Sequence, residues 1–204
     1  RLLWGKIGGQ LNCTAGKFEN PKHNGENKAI RAGGISVKGS VYLRKDFVAN
    51  GEVRLPGASI GGQLDCRGGF FHNRVGNALT LENAKVNATA FLNELTMCGS
   101  LNLKDAHVGQ LFDDHDSWPK YGELLLDGFI YGAIVSKDML VKQRLEWLEN
   151  LVSDTSQKKL PPDKPQSYRF HPQPYDQLSK VLRSMGHEKD SREIAIAKQR
   201  KLRE

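Results

Sequence analysis

A unit of the form x-Val-x-Leu-x-x-Ala-x-Ile-x-Gly, plainest at Glu52 to Gly62 (EVRLPGASIGG), recurs along this chain about every eleven residues. Aligned on the closing glycine, the units are Arg1–Gly9, Gln10–Phe18, Ala29–Gly39, Ser40–Gly51, Glu52–Gly62, Gln63–Phe71, Ala78–Ala88, Thr89–Gly99 and Ser100–Gly109. A shorter unit starts at Gln110, and a last one is Glu123–Gly132. A period this short leaves room for two very short strands and two turns per unit, which excludes a helical bundle. It is also too regular for a β-sandwich.

The second position of the unit is held by Leu11, Ile30, Val41, Val53, Leu64, Leu79, Ala90, Leu101 and Leu124. The fourth is held by Cys13, Ala32, Leu43, Leu55, Cys66, Leu81, Leu92, Leu103 and Leu126. Polar residues such as Asn12, Arg31, Arg54, Asp65, Thr80 and Asn102 alternate with them, so one set points inward and the other to solvent. The seventh and ninth positions repeat the device in Ile35/Val37, Ala58/Ile60, Ala84/Val86, Leu95/Met97 and Phe129/Tyr131. The closing glycines Gly9, Gly39, Gly51, Gly62 and Gly99 are expected to supply the positive φ of a tight corner.

Two units then make one coil of a right-handed, four-sided parallel β-helix of about 22 residues per coil, spanning residues 1–135, whose coils stack over a continuous apolar column. Extra residues follow Phe18 (ENPKHNGENK), Phe71 (HNRVGN) and the short unit at Gln110 (DHDSWPKYG). These three units are four apart, so the loops are expected to leave one corner of the solenoid.

From 136 to 204 the pattern becomes helical. A helix is expected over 137–152, with Leu140, Val141, Leu145, Leu148 and Val152 on one face. A polar, Pro-rich linker follows over 153–172, then an αα-hairpin over 174–204. Pro174 opens the hairpin, Tyr175, Leu178, Val181, Leu182 and Met185 form its stripe, and Gly186 is an αL cap. A second helix from about Lys189 turns Ile194, Ala197 and Leu202 inward. Two helices cannot bury their own stripes, so they are expected to pack on the first helix or on the open end of the β-helix.

Of 204 residues 38% are hydrophobic and 21 are glycine, which suits many short strands and turns. No apolar run reaches the length of a membrane span. The chain opens at Arg1 inside a repeat and closes at Glu204 inside a helical pattern, and so reads as a fragment. Three cysteines without a C-x-x-C pair point to a reducing compartment. The net charge of +7 permits attraction to phosphate or to an anionic membrane surface.

Pentapeptide-repeat proteins form four-sided β-helices, and this chain resembles a looser relative of them. Three features carry a closer likeness: the repeated IGGQL(N/D)C at Ile7–Cys13 and Ile60–Cys66, LFDDHDSWP with LLLDGFIY, and the closing PQPYDQLSKVLRSMGHEKDSREIAIAKQ. Together they resemble a family of bacterial proteins often labelled membrane-associated oxidoreductase. The resemblance implies a soluble part on the cytoplasmic side, followed by membrane segments outside this sequence, and the basic run Lys198 to Arg203 fits that side of a membrane helix. The oxidoreductase activity it implies has no motif here. The glycines of GKIGGQ and GASIGGQ are repeat corners with no helix behind them, unlike a dinucleotide site, and no cofactor is expected.

Cys13 and Cys66 share the fourth position with leucines and read as packing; Cys98 lies nearer a corner. Asp113, Asp114, His115 and Asp116 are the densest set of metal-capable residues, and the corner could bring His23 and His72 to the same edge. Trp4, Trp118, Trp147, Phe70, Phe71, Phe129 and Tyr131 read mainly as core. Nucleic acid is not favoured, because Glu188, Asp190 and Glu193 interrupt the positive face of the last helix. The leading expectation is a non-catalytic module that binds a protein partner or itself, with His23, His72, Arg74, Trp118, Lys198, Arg200 and Lys201 as interaction candidates. The alternative is a metal-assisted enzyme or oxidoreductase at the loop corner.

Overall fold

Every strand of the repeat region lies parallel to its neighbours, and each pairs with the strand two units away. On the first face the register runs Ile7↔Val37↔Ile60↔Val86↔Val108↔Tyr131. On the second it runs Leu11↔Val41↔Leu64↔Ala90↔Leu111↔Ile134. The third face stacks Phe18, Ala49, Phe71 and Met97. The fourth stacks Ile30, Val53, Leu79, Leu101 and Leu124. This is a four-sided β-helix with two units per coil. The computed structural model describes residues 1–20, 27–119, 123–136, 141–149 and 170–203. It divides into two units, Arg1–Asp138 and Met139–Glu204.

The inward positions form the column the alternation predicts: Val37, Leu43, Leu55, Ile60, Leu64, Leu79, Leu81 and Leu103 are all buried. The third face packs aromatics in a zigzag. The Phe47 ring lies 5.5 Å from Phe18 and 5.3 Å from Phe71. Phe47 stands at the seventh position of its unit, Phe18 and Phe71 at the ninth of theirs, and the seventh is glycine where the ninth is Phe. A Cβ at Gly16 or Gly69 would stand 2.8 Å from the ring two residues on, so these glycines leave room for the phenyl groups. At the start of the stack, an apolar cavity of about 100 Å³ is lined by Leu11, Cys13, Phe18, Val41 and Leu43 among others.

The corners differ from the expectation. Positive φ falls on the sixth position of the unit, at Trp4, Ala15, Gly34, Lys45, Gly57, Gly68, Asn83, Glu94, Asp105 and Gly128. At all of these except Lys45 and Glu94 the fourth residue's carbonyl accepts from the seventh residue's N–H, as in Cys66 and Gly69 at 3.0 Å or Leu81 and Ala84 at 2.9 Å. The left-handed residue is thus the third of a four-residue turn, the place of positive φ in type II. Of the closing glycines expected to carry it, only Gly51 and Gly99 do. Gly39 and Gly62 answer instead to close approach of the preceding coil. A Cβ at Gly39 would lie 2.9 Å from the Gly9 carbonyl oxygen, one at Gly62 3.0 Å from the Gly39 carbonyl carbon, and one at Gly61 would run into Lys38. At Gly8 and Gly9, in the first coil, a Cβ would have nothing described within 4 Å.

In the second unit α1 is Val141–Glu149, α2 is Gln173–Ser184 and α3 is Glu188–Lys201. The buried face of α1 is Arg144, Trp147 and Leu148, with the guanidinium 5.2 Å from the Trp147 ring. Val141 and Leu145 are half-buried, so the stripe is centred on Trp147 instead of on those two. Leu140, Val152 and most of the linker lie outside the described residues. Between α2 and α3, Gly186 (φ 86°) takes the left-handed cap. Its N–H donates to Arg183 and that of His187 to Leu182, a Schellman pattern. Tyr175, Leu178, Val181, Leu182 and Ile194 are buried between the helices. Where α2 and α3 touch, the hydroxyl of Ser179 donates to the Ser191 carbonyl and that of Ser191 to the Ser179 carbonyl. Met185 and Leu202, expected inside, are exposed, each being the cap residue at which its helix ends. α3 packs on both α2 and α1. Among the described residues no helix is long and apolar enough to cross a membrane.

Candidate functional site

Two of the three insertions leave between the third and fourth faces, and the third leaves earlier, after the second-face residue Asp113, taking the place of a third-face strand. They follow Glu19, His72 and Asp113 and precede the fourth-face rungs at Ile30, Leu79 and Leu124. In the coils between them the same corner is closed by Gly51 (φ 126°) and Gly99 (φ 130°). A Cβ at Gly51 would lie 2.8 Å from the Asn27 side-chain oxygen, and one at Gly99 would run into the Asn73 carbonyl. Those corners are glycine because the longer loop of the adjacent coil folds against them.

Asparagines tie the loops to one another. Asn27 Nδ2 donates to Asn73 Oδ1 at 3.0 Å, and Asn73 Nδ2 donates to the Asn77 carbonyl at 2.7 Å. The Glu52 N–H donates to the Asn27 carbonyl at 2.8 Å, and the Thr80 hydroxyl to the buried Glu52 carboxylate at 2.6 Å. Beyond this network Arg74, Val75 and Gly76 stand exposed, Val75 at 83%. His72 is half-buried and stacks on Phe70 with 5.7 Å between ring centres. Phe70 is itself exposed, not core, because it occupies the outward eighth position. His23 lies outside the described residues.

The acidic run is divided among separate partners. Asp113 is buried, accepting from Trp118 Nε1 at 3.2 Å and from the Ser136 hydroxyl at 2.6 Å. Asp114 caps a single 3-10 turn, His115–Ser117, by accepting from the Ser117 N–H at 2.8 Å, and its other oxygen accepts from the Glu94 N–H at 2.7 Å. The Ser117 hydroxyl takes the Leu95 N–H at 3.0 Å. Side chains of this turn therefore satisfy the amides of the coil before it, where other coils place a third-face strand, and the run closes a strand edge. His115 lies 5.2 Å from the Trp118 ring and Asp116 is exposed. No group of three or more metal-capable side chains converges among the described residues.

Cys66 is fully buried and burial pushes its thiol pKa far up; burial also raises that of half-buried Cys13. Trp118, Trp147, Phe71, Phe129 and Tyr131 are core, but Trp4 is 78% exposed, being the left-handed residue of its turn. In α3, Lys198 is held by Asp176, whereas Arg200 is exposed. Lys201 is half-buried.

Comparisons with protein-family models, with curated proteins and with solved structures found no match to this chain.

One constellation on the second face escapes sequence reading. The Asp65 carboxylate accepts from Arg67 Nε at 2.9 Å, Arg67 Nη2 at 2.8 Å and Arg44 Nη1 at 2.7 Å. Each guanidinium also covers a ring, Arg44 on Tyr42 at 4.3 Å and Arg67 on Phe91 at 4.2 Å. Burial alone raises the Asp65 pKa, but the hydrogen bonds from Arg67 and Arg44 outweigh it and hold the carboxyl below its ordinary value. Such a group stabilises the fold above its unfolded-state pKa of about 3.9, and the contribution disappears as pH falls through the lower folded value. Asp65→Asn is therefore expected to lower stability at neutral pH and to flatten its fall below about pH 4. Urea midpoints across an acid series measure this, and parallel acid limbs in both proteins would contradict it. The signal in the sequence is only that Arg44 and Arg67 share the fifth position of units one coil apart.

Proposed function

We propose that this chain is a non-catalytic binding module whose β-helix is a rigid scaffold and whose loop-bearing corner holds a protein partner. The observation that carries the reading is that two loops from alternate coils are pinned to each other by the Asn27–Asn73 hydrogen bond while Arg74 and Val75 project beyond them. A prearranged loop edge with an exposed cation and an exposed branched apolar side chain loses little freedom on binding. Placement on the cytoplasmic side of a bacterial membrane belongs to the same reading and is supported by the resemblance of the closing segment. Of the four candidates of the metal-assisted alternative, Asp113 and Asp114 already serve Trp118, Ser136 and backbone amides.

Photo-cross-linking amino acids placed at Arg74, at Val75 and, as a control, at exposed Lys85 on the first face test the corner. One protein is expected from the two corner positions and not from Lys85. Its purified form should bind the R74E/V75D chain about tenfold more weakly or worse. Cross-links from Lys85 alone, or from none of the three, overturn the reading.

A further inference from the structure

One side of α3 carries a line of cations that the packing of the helix leaves in solvent. Lys189, Arg192, Ile196, Arg200 and Arg203 are all exposed. At 3.6 residues per turn the first four fall within an arc of about 80° and span about 17 Å of helix, and Arg203 lies in the turn that follows it. The opposite side, with Ser191 and Ile194, is buried. None of the four cations is in an ion pair among the described residues, while Lys198 on the packed side pairs with Asp176 and Arg183 of α2 with Glu188. Glu188, paired with Arg183, and Glu193 border the line, and Ile196 at its middle is 52% exposed.

We propose that this face of α3 docks on an anionic phospholipid surface, with the four cations on headgroup phosphates and Ile196 at the edge of the acyl region. The charge is complementary, and a single narrow line of cations faces a plane. A helix seated in a duplex groove needs cations on two flanks to reach both phosphate strands, and base-reading donors between them. Here the only exposed amide beside the line is Gln199. Cations flanking an exposed apolar side chain suit the headgroup boundary, where each Lys or Arg near an anionic leaflet adds about fivefold to binding. This inference does not rest on the loop corner, and either can fail without the other.

Flotation of the whole chain with vesicles tests it. The chain is expected to rise with phosphatidylcholine vesicles containing phosphatidylglycerol, not with phosphatidylcholine alone, and to be released by salt. R192E/R200E should weaken binding about tenfold or more, and R192Q/R200Q by a smaller factor that survives if charge reversal disturbs folding. K6E/K17E removes the same charge from exposed positions of the β-helix and should change binding less than about twofold. Circular dichroism establishes that each variant keeps its fold. Equal flotation on neutral vesicles, equal losses in the α3 and β-helix variants, or capture of duplex DNA without vesicle binding would each overturn the proposal.

Discussion

Phe47→Ala is expected to lower the unfolding free energy by about 3–5 kcal/mol, the range for emptying a buried aromatic site. Phe47 is fully buried between the rings of Phe18 and Phe71. The equivalent positions one coil to either side are Gly16 and Gly69, so no side chain there can swing in to fill the space. The hole would be walled by the Phe18 and Phe71 rings and by hydrogen-bonded backbone, and the backbone relaxes little. Because each coil contacts chiefly its neighbours, a gap at this level also weakens coupling between the coils on either side of it. Urea denaturation followed by fluorescence and by far-ultraviolet circular dichroism measures both effects. A loss under about 1 kcal/mol would mean that the aromatic zigzag adds no more than ordinary surface contacts.

The second large effect contrasts two glycines that look the same in the repeat. Gly8 and Gly61 both hold the tenth position in copies of IGGQL. A Cβ at Gly61 would run into the backbone of Lys38 in the preceding coil, whose carbonyl carbon would be 3.0 Å away, whereas one at Gly8 meets nothing described within 4 Å. Gly61→Val should therefore cost about 3 kcal/mol, since backbone cannot give way as a flexible side chain can. Gly8→Val should stay within about 0.5 kcal/mol. Thermal midpoints of the two variants decide the matter. Equal shifts would show that the glycines matter for their own flexibility, not for the spacing between coils.

That pair of glycines also marks how far the sequence can be read. The inward positions were legible because side chains alternate strictly along a strand, so Val41, Leu43, Val53 and Leu55 declare their side without reference to any partner. Two units per coil were legible from the spacing of the insertions. The reason for the closing glycines was not, because composition reports that a residue is small and cannot distinguish positive φ from close approach. Positive φ falls instead on residues as unlike one another as Trp4, Lys45, Glu94 and Gly128, which share a place in a turn and no chemistry.

The acidic run shows the same limit at the candidate site. Four adjacent residues able to bind a metal have the composition of a site, yet Asp113 turns inward to Trp118 and Ser136 while Asp114 caps a turn and receives an amide from the coil before. Asp65, a lone outward carboxylate in sequence, is bound by arginines of two successive coils.

By itself the sequence determined the parallel β-helix, its inward column and the helical ending, because these follow from local periodicity and chain connectivity. Only the tertiary structure decided which glycines are spacers, where each carboxylate is bound, and which side of α3 is left to solvent. Those properties depend on groups brought together from different coils or helices, and contact across such distances leaves no periodic trace in the chain.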